Sequence, residues 1–333
     1  MEPPILIIAT ENAYFNTTPF DQEGYTVTHI PRATQRDLED ATDNIEPHLK
    51  YAIIAFGTAA THALSLATSS IHSLACVVAY YPPILPPSFK VHSTIQALIH
   101  LPKDTPFSPA SKPPHILIKS YQSPSGFAES SSPTYDAIAS SIAYTRTLEL
   151  LRRTVGPIVD HDDVWERHLI AEFVERDADK TLTTMIDEPY VNHVPTGAGG
   201  IGYKELHAFY TEHFIPRNPP SLRMKPVSRT VGAERVVDEL VVTFRHDQVV
   251  DWMLPGVPPT GREVEVALVV VARLRGGKLV SEHIYWDQAT VLVQIGLLDP
   301  KLLPVMGAES ARKVLDKDSL KNNLLIPEWK APK

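Results

Sequence analysis

The feature that most constrains the fold is the segment 278–288, Lys-Leu-Val-Ser-Glu-His-Ile-Tyr-Trp-Asp-Gln. It follows an apolar run at 264–272 and a Gly-Gly pair, so the two runs predict a β-hairpin. Side chains alternate between the faces of a strand, and one face of this strand would carry His283, Tyr285 and Asp287. Because an unpartnered polar group in an apolar core costs about 1–3 kcal/mol, we expect that face to line a cavity.

The composition divides the 333-residue chain into two halves, and this length accommodates two domains. Residues 1–155 contain 10 Lys/Arg and 13 Asp/Glu, whereas residues 156–333 contain 21 and 26. All four tryptophans lie in the second half. We therefore predict two domains, 1–155 and 156–333, and the second includes a C-terminal tail.

Charge and cysteine content narrow the class of protein. A net charge of −8 offers no basic surface for a phosphate backbone or an anionic membrane, so neither is an expected partner. The single cysteine, Cys76, lies in an apolar run and is expected to be a core residue. The N-terminus has an acid where a signal peptide needs positive charge, and no apolar run there could span a bilayer. We expect a soluble, cytoplasmic protein.

The first half alternates short apolar runs with helical patterns. This order predicts a parallel α/β sheet. The Pro-rich segment 82–114 is expected to be irregular, because proline removes backbone donors. Strands are predicted at 5–9, 25–30, 51–56, 74–80 and 115–119, and helices at 35–49, 58–67 and 135–153.

Three motifs of this half resemble dienelactone hydrolases of the α/β-hydrolase class. They are Ala-Phe-Gly-Thr-Ala-Ala at 55–60, Ser-Gly-Phe-Ala at 125–128 and the helical run 135–149. The resemblance implies a truncated hydrolase-like sheet with a nucleophilic cysteine at the strand-to-helix turn and a histidine before Gly-Phe. Here those positions hold Gly57 and Ser125, so the resemblance is to a degenerate hydrolase without its catalytic residues.

The alternative for this half is an active hydrolase whose catalytic residues lie at other positions. Ser65 or Thr61 could act with His62, since all three fall in or near the helix after the turn. The simpler interpretation of His62 is a surface or core-edge residue. Ester or lactone hydrolysis by this half is therefore the second hypothesis.

The second half has three helical patterns followed by a run of strands. Helices are predicted at 163–174, 179–186 and 203–214, and strands at 222–231, 234–246, 264–275 and 279–289. Because the first helix has a wide apolar stripe, it should pack on a large surface. We predict an α+β domain whose curled sheet encloses a cavity against that helix.

Motifs in the right order make this half similar to SnoaL-like polyketide cyclases. They are the run 177–185, the Pro-rich turn 254–262 and the run 277–288 with its continuation to 299, within a match from 162 to 299. The resemblance implies a cone-shaped α+β barrel of the kind shared by scytalone dehydratase and ketosteroid isomerase. This fold also occurs in non-catalytic binding proteins, so fold alone does not decide the function.

The resemblance implies an acidic catalytic residue in the last strands, and Asp287 matches it best. The alternative is that Asp287 caps a helical segment at 289–297. His283 on the same face and His246 on the neighbouring strand are the other catalytic candidates, although His283 could equally be a hydrogen-bonded core residue. The candidates for binding substrate are Tyr285, His193, Asp251, Trp252, Trp165 and Tyr190.

No His-x-His or Glu-x-x-His spacing accompanies these residues, so no metal and no other cofactor is expected. The leading hypothesis is a cofactor-independent enzyme of secondary metabolism that moves protons on a carbonyl-rich, polyketide-like small molecule. Aldol cyclisation, isomerisation and dehydration all fit, with a homodimer as one candidate assembly. The remaining alternative is a non-catalytic protein that binds a ligand or a partner.

Overall fold

The computed structural model describes residues 2–85, 89–103, 105 and 113–330. The chain forms two compact units, Met1–Val159 and Asp160–Lys333, each with its own hydrophobic core. Within the described ranges, no helix is both long enough and apolar enough to cross a membrane.

The first unit is a six-stranded sheet in which every neighbouring pair of strands is parallel. The strand order is β2-β1-β3-β4-β5-β6. The strands are β1 (Ile5–Thr10), β2 (Thr26–Pro31), β3 (Tyr51–Phe56), β4 (Leu74–Tyr80), β5 (Gln96–Leu101) and β6 (Ile116–Ser120). The helices are α1 (Thr18–Gln22), α2 (Gln35–Asp43), α3 (Thr58–Leu66) and α4 (Ala137–Thr154).

The central strands are buried on both faces, as the continuous apolar runs predict. Cys76 in β4 is buried and free, as expected of a core residue, and burial raises the pKa of its thiol to about 12. The prediction that segment 82–114 is irregular was wrong for β5, which lies inside it. The prolines flank that strand rather than interrupt it, so the mostly apolar residues 97–101 could still pair. Residues 86–88, 104 and 106–112 of the segment lie outside the described ranges.

The second unit is a six-stranded sheet of order β8-β7-β12-β11-β10-β9, antiparallel except for the β12–β7 pair. Its strands are β7 (Met185–His193), β8 (Ala198–Ile201), β9 (Arg223–Val231), β10 (Arg235–Arg245), β11 (Glu263–Arg275) and β12 (Lys278–Trp286). Its helices are α5 (His161–Leu169), α6 (Ala178–Thr183), α7 (Gly202–Ala208), α8 (Gln288–Gln294) and α9 (Glu309–Leu315), with 3₁₀ turns at Ile215–Arg217 and Pro300–Leu302.

Two predicted helices of this unit end as π-helices. Helix α5 continues into the π-helical segment Ile170–Glu175, and α7 continues into Phe209–Phe214. Wider π turns are uncommon and occur frequently at functional sites. Strands β7 and β8 were not predicted, because Pro189 and four glycines at 197, 199, 200 and 202 obscure the strand pattern of that region.

Candidate active site

The concave side of the second sheet encloses a cavity of about 230 Å³ against α5 and the π-helical segment Ile170–Glu175. Its walls are mostly apolar and aromatic. A few acidic, basic and imidazole groups line it as well, which is the usual composition of a small-molecule site. The apolar and aromatic lining includes Trp165, Leu169, Phe173, Val191, Phe214, Leu240, Val242, Trp252, Leu268 and Ile284.

Strand β12 turns toward the cavity the face opposite to the one that the sequence predicted. Glu282 and Ile284 line the cavity, whereas Tyr285 is 43% exposed on the other side of the sheet. Residue Val280 forms a bulge, because Leu279 pairs with Leu274 of β11 while Ser281 already pairs with Arg273. The prediction that the His283 face lines the cavity was therefore wrong: the strand turns its apolar face inward and carries Glu282 with it.

Glu282 belongs to a buried cluster of three titratable side chains. His168 Nε2 lies 2.9 Å from Glu282 Oε1 and 3.8 Å from Glu172 Oε2. His168 Nδ1 lies 2.7 Å from Thr184 Oγ1, and the imidazole stacks on Trp165. Glu172 and Glu282 both line the cavity, so His168 stands behind two carboxyl groups that can reach a ligand.

The environment shifts the pKa values of two groups in this cluster. Burial raises the pKa of Glu172 to about 8, and the nearby charge of Glu282 adds to the rise while His168 opposes it. Burial alone would lower the pKa of His168, but Glu282 and Glu172 outweigh it and raise that pKa. At neutral pH these shifts favour an uncharged Glu172 and a protonated His168, whose Nε2 faces Glu282.

These shifts predict how the stability of the second unit depends on pH. The folded chain keeps a proton on Glu172 between its ordinary pKa of 4.5 and about 8, where the unfolded chain has lost it. More protons are then bound in the folded state, so the free energy of unfolding should fall as pH rises through that window. The raised pKa of His168 acts in the same direction above its ordinary value of 6.5.

Glu172→Gln removes the titrating group, so its stability should fall less steeply with pH than that of the wild type. The difference in slope should be at most about 1.4 kcal/mol per pH unit. Urea unfolding followed by tryptophan fluorescence between pH 5 and 8 measures it, since all four tryptophans lie beyond residue 160. Glu175→Gln, an exposed change in the same π-helical segment, is the control. Equal slopes for Glu172→Gln and the wild type would contradict the prediction.

His193 is the third polar group deep in the cavity. Its Nδ1 lies 3.1 Å from the carbonyl oxygen of Ala198, so Nδ1 donates and Nε2 is left as an acceptor in the neutral ring. Burial lowers the pKa of His193 to about 4, which keeps it neutral. The ring is surrounded by Phe209, Phe214, Trp252 and Trp286 at centroid distances of 5.1–6.1 Å.

A polar network lies at the more exposed side of the cavity. Arg229 of β9 binds both carboxylate oxygens of Asp238, through Nε at 2.6 Å and Nη2 at 2.7 Å. Its Nη1 donates to Asp162, 2.8 Å away, and to Glu166, both on α5. Trp165 Nε1 also donates to Asp238 at 2.8 Å. The network ties α5 to the sheet and fixes the tryptophan in the cavity wall.

The predicted site residues fall into three groups. His193, Trp165 and Trp252 line the cavity, as expected of substrate-binding residues. Asp287, His246 and Asp251 do not line it.

Each of these three has another structural role. Asp287 follows the last residue of β12 and caps α8, accepting from the backbone of Ala289 and from Thr290. His246 is buried beyond the end of β10, with Nδ1 3.1 Å from Thr260 Oγ1. Asp251 pairs with His213 at 3.0 Å and with Arg217 at 3.4 Å.

The third group lies on the opposite face of the sheet. His283 packs edge-on against Tyr190 at 5.4 Å and against Tyr285 at 6.4 Å. None of the three lines the cavity. Sequence reasoning instead missed His168, Glu172 and Glu282. A signal for two of them was available, because His168 and Glu172 are four residues apart and share a face of the first helix.

Across the part of the chain that is described, no group of three or more His, Cys, Asp or Glu side chains is arranged to hold a metal ion. In the buried cluster, the imidazole contacts Glu282 directly rather than sharing a central point with the two carboxylates.

The strand-to-helix turn of the first unit holds no nucleophile. Gly57 between β3 and α3 has φ +60°, and a Cβ there would collide with the carboxyl group of Glu11, which accepts from the backbone N–H of Thr58. Among the described residues, no hydrogen bond joins His62 to Thr61 or Ser65. Thr61 instead donates weakly to the carbonyl of Ile84 at 3.5 Å. Nothing in this geometry favours ester hydrolysis by the first unit.

One family model matches part of the second unit. Residues 166–282 match the SnoaL-like domain, which confirms the resemblance for this half. No curated protein sequence matches the chain significantly.

Several solved structures are similar to part of the chain. TsrD from Streptomyces laurentii is 18% identical over 42% of this chain and 100% of its own, with a TM-score of 0.34. A SnoaL-like polyketide cyclase from Jannaschia sp. CCS1 is 22% identical over 43% of this chain and 100% of its own, with a TM-score of 0.34. An NTF2-like protein from Burkholderia pseudomallei K96243 is 20% identical over 42% and 99%, with a TM-score of 0.33.

Proposed function

We propose that the SnoaL-like domain of this chain catalyses cofactor-independent proton transfer on a small carbonyl compound bound in its cavity. The observation that carries the proposal is the pair of buried carboxyl groups, Glu172 and Glu282, which line one cavity, with the pKa of Glu172 raised to about 8 and His168 Nε2 2.9 Å from Glu282. A carboxyl group that keeps its proton at neutral pH can serve as the acid beside a second carboxyl group that serves as the base.

Glu282 is the base in this proposal. Its carboxylate faces the cavity and is held by His168, 2.9 Å away, whose raised pKa favours the imidazolium form. The imidazolium behind it would offset the negative charge that Glu282 carries as a base. Glu282 would remove a proton from the carbon next to the substrate carbonyl.

Glu172 is the acid. With its pKa raised to about 8, it keeps its proton at neutral pH and can donate to the carbonyl oxygen as charge develops there. Proton removal by Glu282 and donation by Glu172 together convert the ketone to its enol. His193, a neutral acceptor at Nε2, would orient a hydroxyl group of the substrate.

The enol leads to each of the three reactions that the family resemblance suggests. Return of the proton to another carbon gives isomerisation, loss of a β-hydroxyl gives dehydration, and attack on a second carbonyl gives aldol cyclisation. Asp287 and His246 would not contact the substrate, because neither lines the cavity. Burying two acids beside one imidazole is costly, which favours a functional role for the cluster.

Deuterium exchange tests the proposal without knowledge of the natural substrate. The full-length protein is incubated in D₂O with cyclohexanone or 2-cyclohexen-1-one, and NMR measures deuterium at the carbons next to the carbonyl. We expect incorporation above the buffer rate, with a decline above about pH 8 as Glu172 loses its proton. Binding of these ketones with exchange no faster than buffer would favour the ligand-binding alternative and overturn the proposal.

A further inference from the structure

The charges around the cavity restrict which ligands can enter it. Among the described residues that line it, four are acids and Arg229 is the one arginine or lysine. The acids are Glu166, Glu172, Asp238 and Glu282. Since His193 is neutral, a ligand anion would have only Arg229 to pair with.

Most hydrogen-bond donors of Arg229 are already used by acidic side chains of the protein. A guanidinium has five N–H donors. Two of them bind Asp238 and two more bind Asp162 and Glu166. We call these three acids the acidic collar. At most one N–H of Arg229 is then left for a carboxylate or phosphate on a ligand, which would meet all three acids as like charges, and this disfavours it strongly.

The size of the cavity sets a second limit. An apolar protein cavity of about 150 Å³ holds one benzene molecule. The volume here is about 230 Å³, and the walls are apolar or aromatic apart from the groups already described. One ring with a few substituents fits this space, whereas three fused rings exceed it.

We infer that the cavity takes an uncharged, largely apolar compound of about one substituted ring, and that the acidic collar around Arg229 excludes carboxylates and phosphates. The inference rests on the proposed function only in assigning the ligand a carbonyl group that faces Glu172. The exclusion of anions and the size limit follow from charge and volume alone.

Ligand-observed NMR titrations on the full-length protein test this with matched probes. Acetophenone and benzoate share one ring and differ in charge, and 9-acetylanthracene adds two fused rings to the same ketone. We expect acetophenone to bind at least about tenfold more tightly than benzoate, and 9-acetylanthracene not to displace it. Equal affinity for benzoate, displacement by 9-acetylanthracene, or no binding of acetophenone would overturn the inference.

A double variant tests the collar itself. Asp162→Asn with Glu166→Gln removes two negative charges beside Arg229, so the affinity for benzoate relative to that for acetophenone should rise at least about tenfold. Asp163→Asn is the matched control, because this exposed acid on the same helix pairs with Arg167 instead. A collar variant that binds benzoate no better than Asp163→Asn does would contradict the role of the collar.

These measurements separate the inference from the proposed function. Binding of acetophenone without deuterium exchange would leave the ligand class standing and overturn the proton-transfer proposal. Deuterium exchange on cyclohexanone, together with equal affinities for benzoate and acetophenone, would support the proton-transfer proposal and overturn the inference about the ligand class.

Discussion

Glu282→Gln should lower the rate of deuterium exchange by about 10²–10⁴-fold, the usual contribution of a general base. Glutamine keeps the shape of the side chain and an oxygen that can accept from His168, but it cannot take a proton. Ketone binding should therefore change little, and the loss should appear in turnover. NMR exchange rates at saturating ketone, compared with the wild type, give the measurement.

Asp287→Asn is the matched control, because Asp287 is the acid that the family resemblance would select. It caps α8 and does not line the cavity, and asparagine is as good a helix cap as aspartate. We expect near-normal exchange from this variant. If Asp287→Asn lost its activity while Glu282→Gln retained it, the base would be Asp287 and the cluster would be structural.

The second large effect concerns stability. His168→Ala should lower the free energy of unfolding of the second unit by about 3–5 kcal/mol, as expected when one partner of a buried ion pair is removed. His168 is 1% exposed, and its loss leaves Glu282 without its cation and Thr184 Oγ1 without the imidazole. Urea unfolding at pH 7 with tryptophan fluorescence reports on this unit alone, since it contains every tryptophan.

Two further variants identify the cause of that loss. His207→Ala removes an exposed imidazole that pairs with Asp179 at 3.1 Å, so it should cost no more than about 1 kcal/mol. His168→Leu combined with Glu282→Met removes both buried charges and should recover much of the stability that His168→Ala loses. A loss in His168→Ala no larger than that in His207→Ala would show that the buried pair contributes little.

Much of the fold could be predicted because its signals are local. Five of the six strands of the first sheet, the hairpin of β11 and β12, and the helix beginning near Asp163 all follow from periodicity within short windows. The strands that were missed have weak local signals: β5 lies among prolines, and β7 and β8 lie among Pro189 and several glycines. Their pairing with neighbouring strands of the sheet supplies the stability that their own residues do not indicate.

Part of the candidate site could also be predicted. His193, Trp165 and Trp252 were expected to bind substrate, and they line the cavity. The structure does not place the predicted acid–base residues His283 and Asp287 in the cavity lining; with Tyr285 they stood out in the sequence as three titratable groups on one face of a strand. That face is the outer one, where polar groups remain hydrated at little cost.

The sequence by itself determined that the chain has two halves of different construction, a parallel sheet followed by helices and a hairpin-rich sheet, since composition and periodicity are properties of neighbouring residues. Only the tertiary structure decided which face of β12 is buried, because a one-residue bulge and the apolar side chains at 284 and 286 determine it. It also decided the chemistry of the cavity. His168 and Glu172 lie on one helix, more than a hundred residues before Glu282, and their charges are set by burial and by distances of 2.9 and 3.8 Å that exist only after folding.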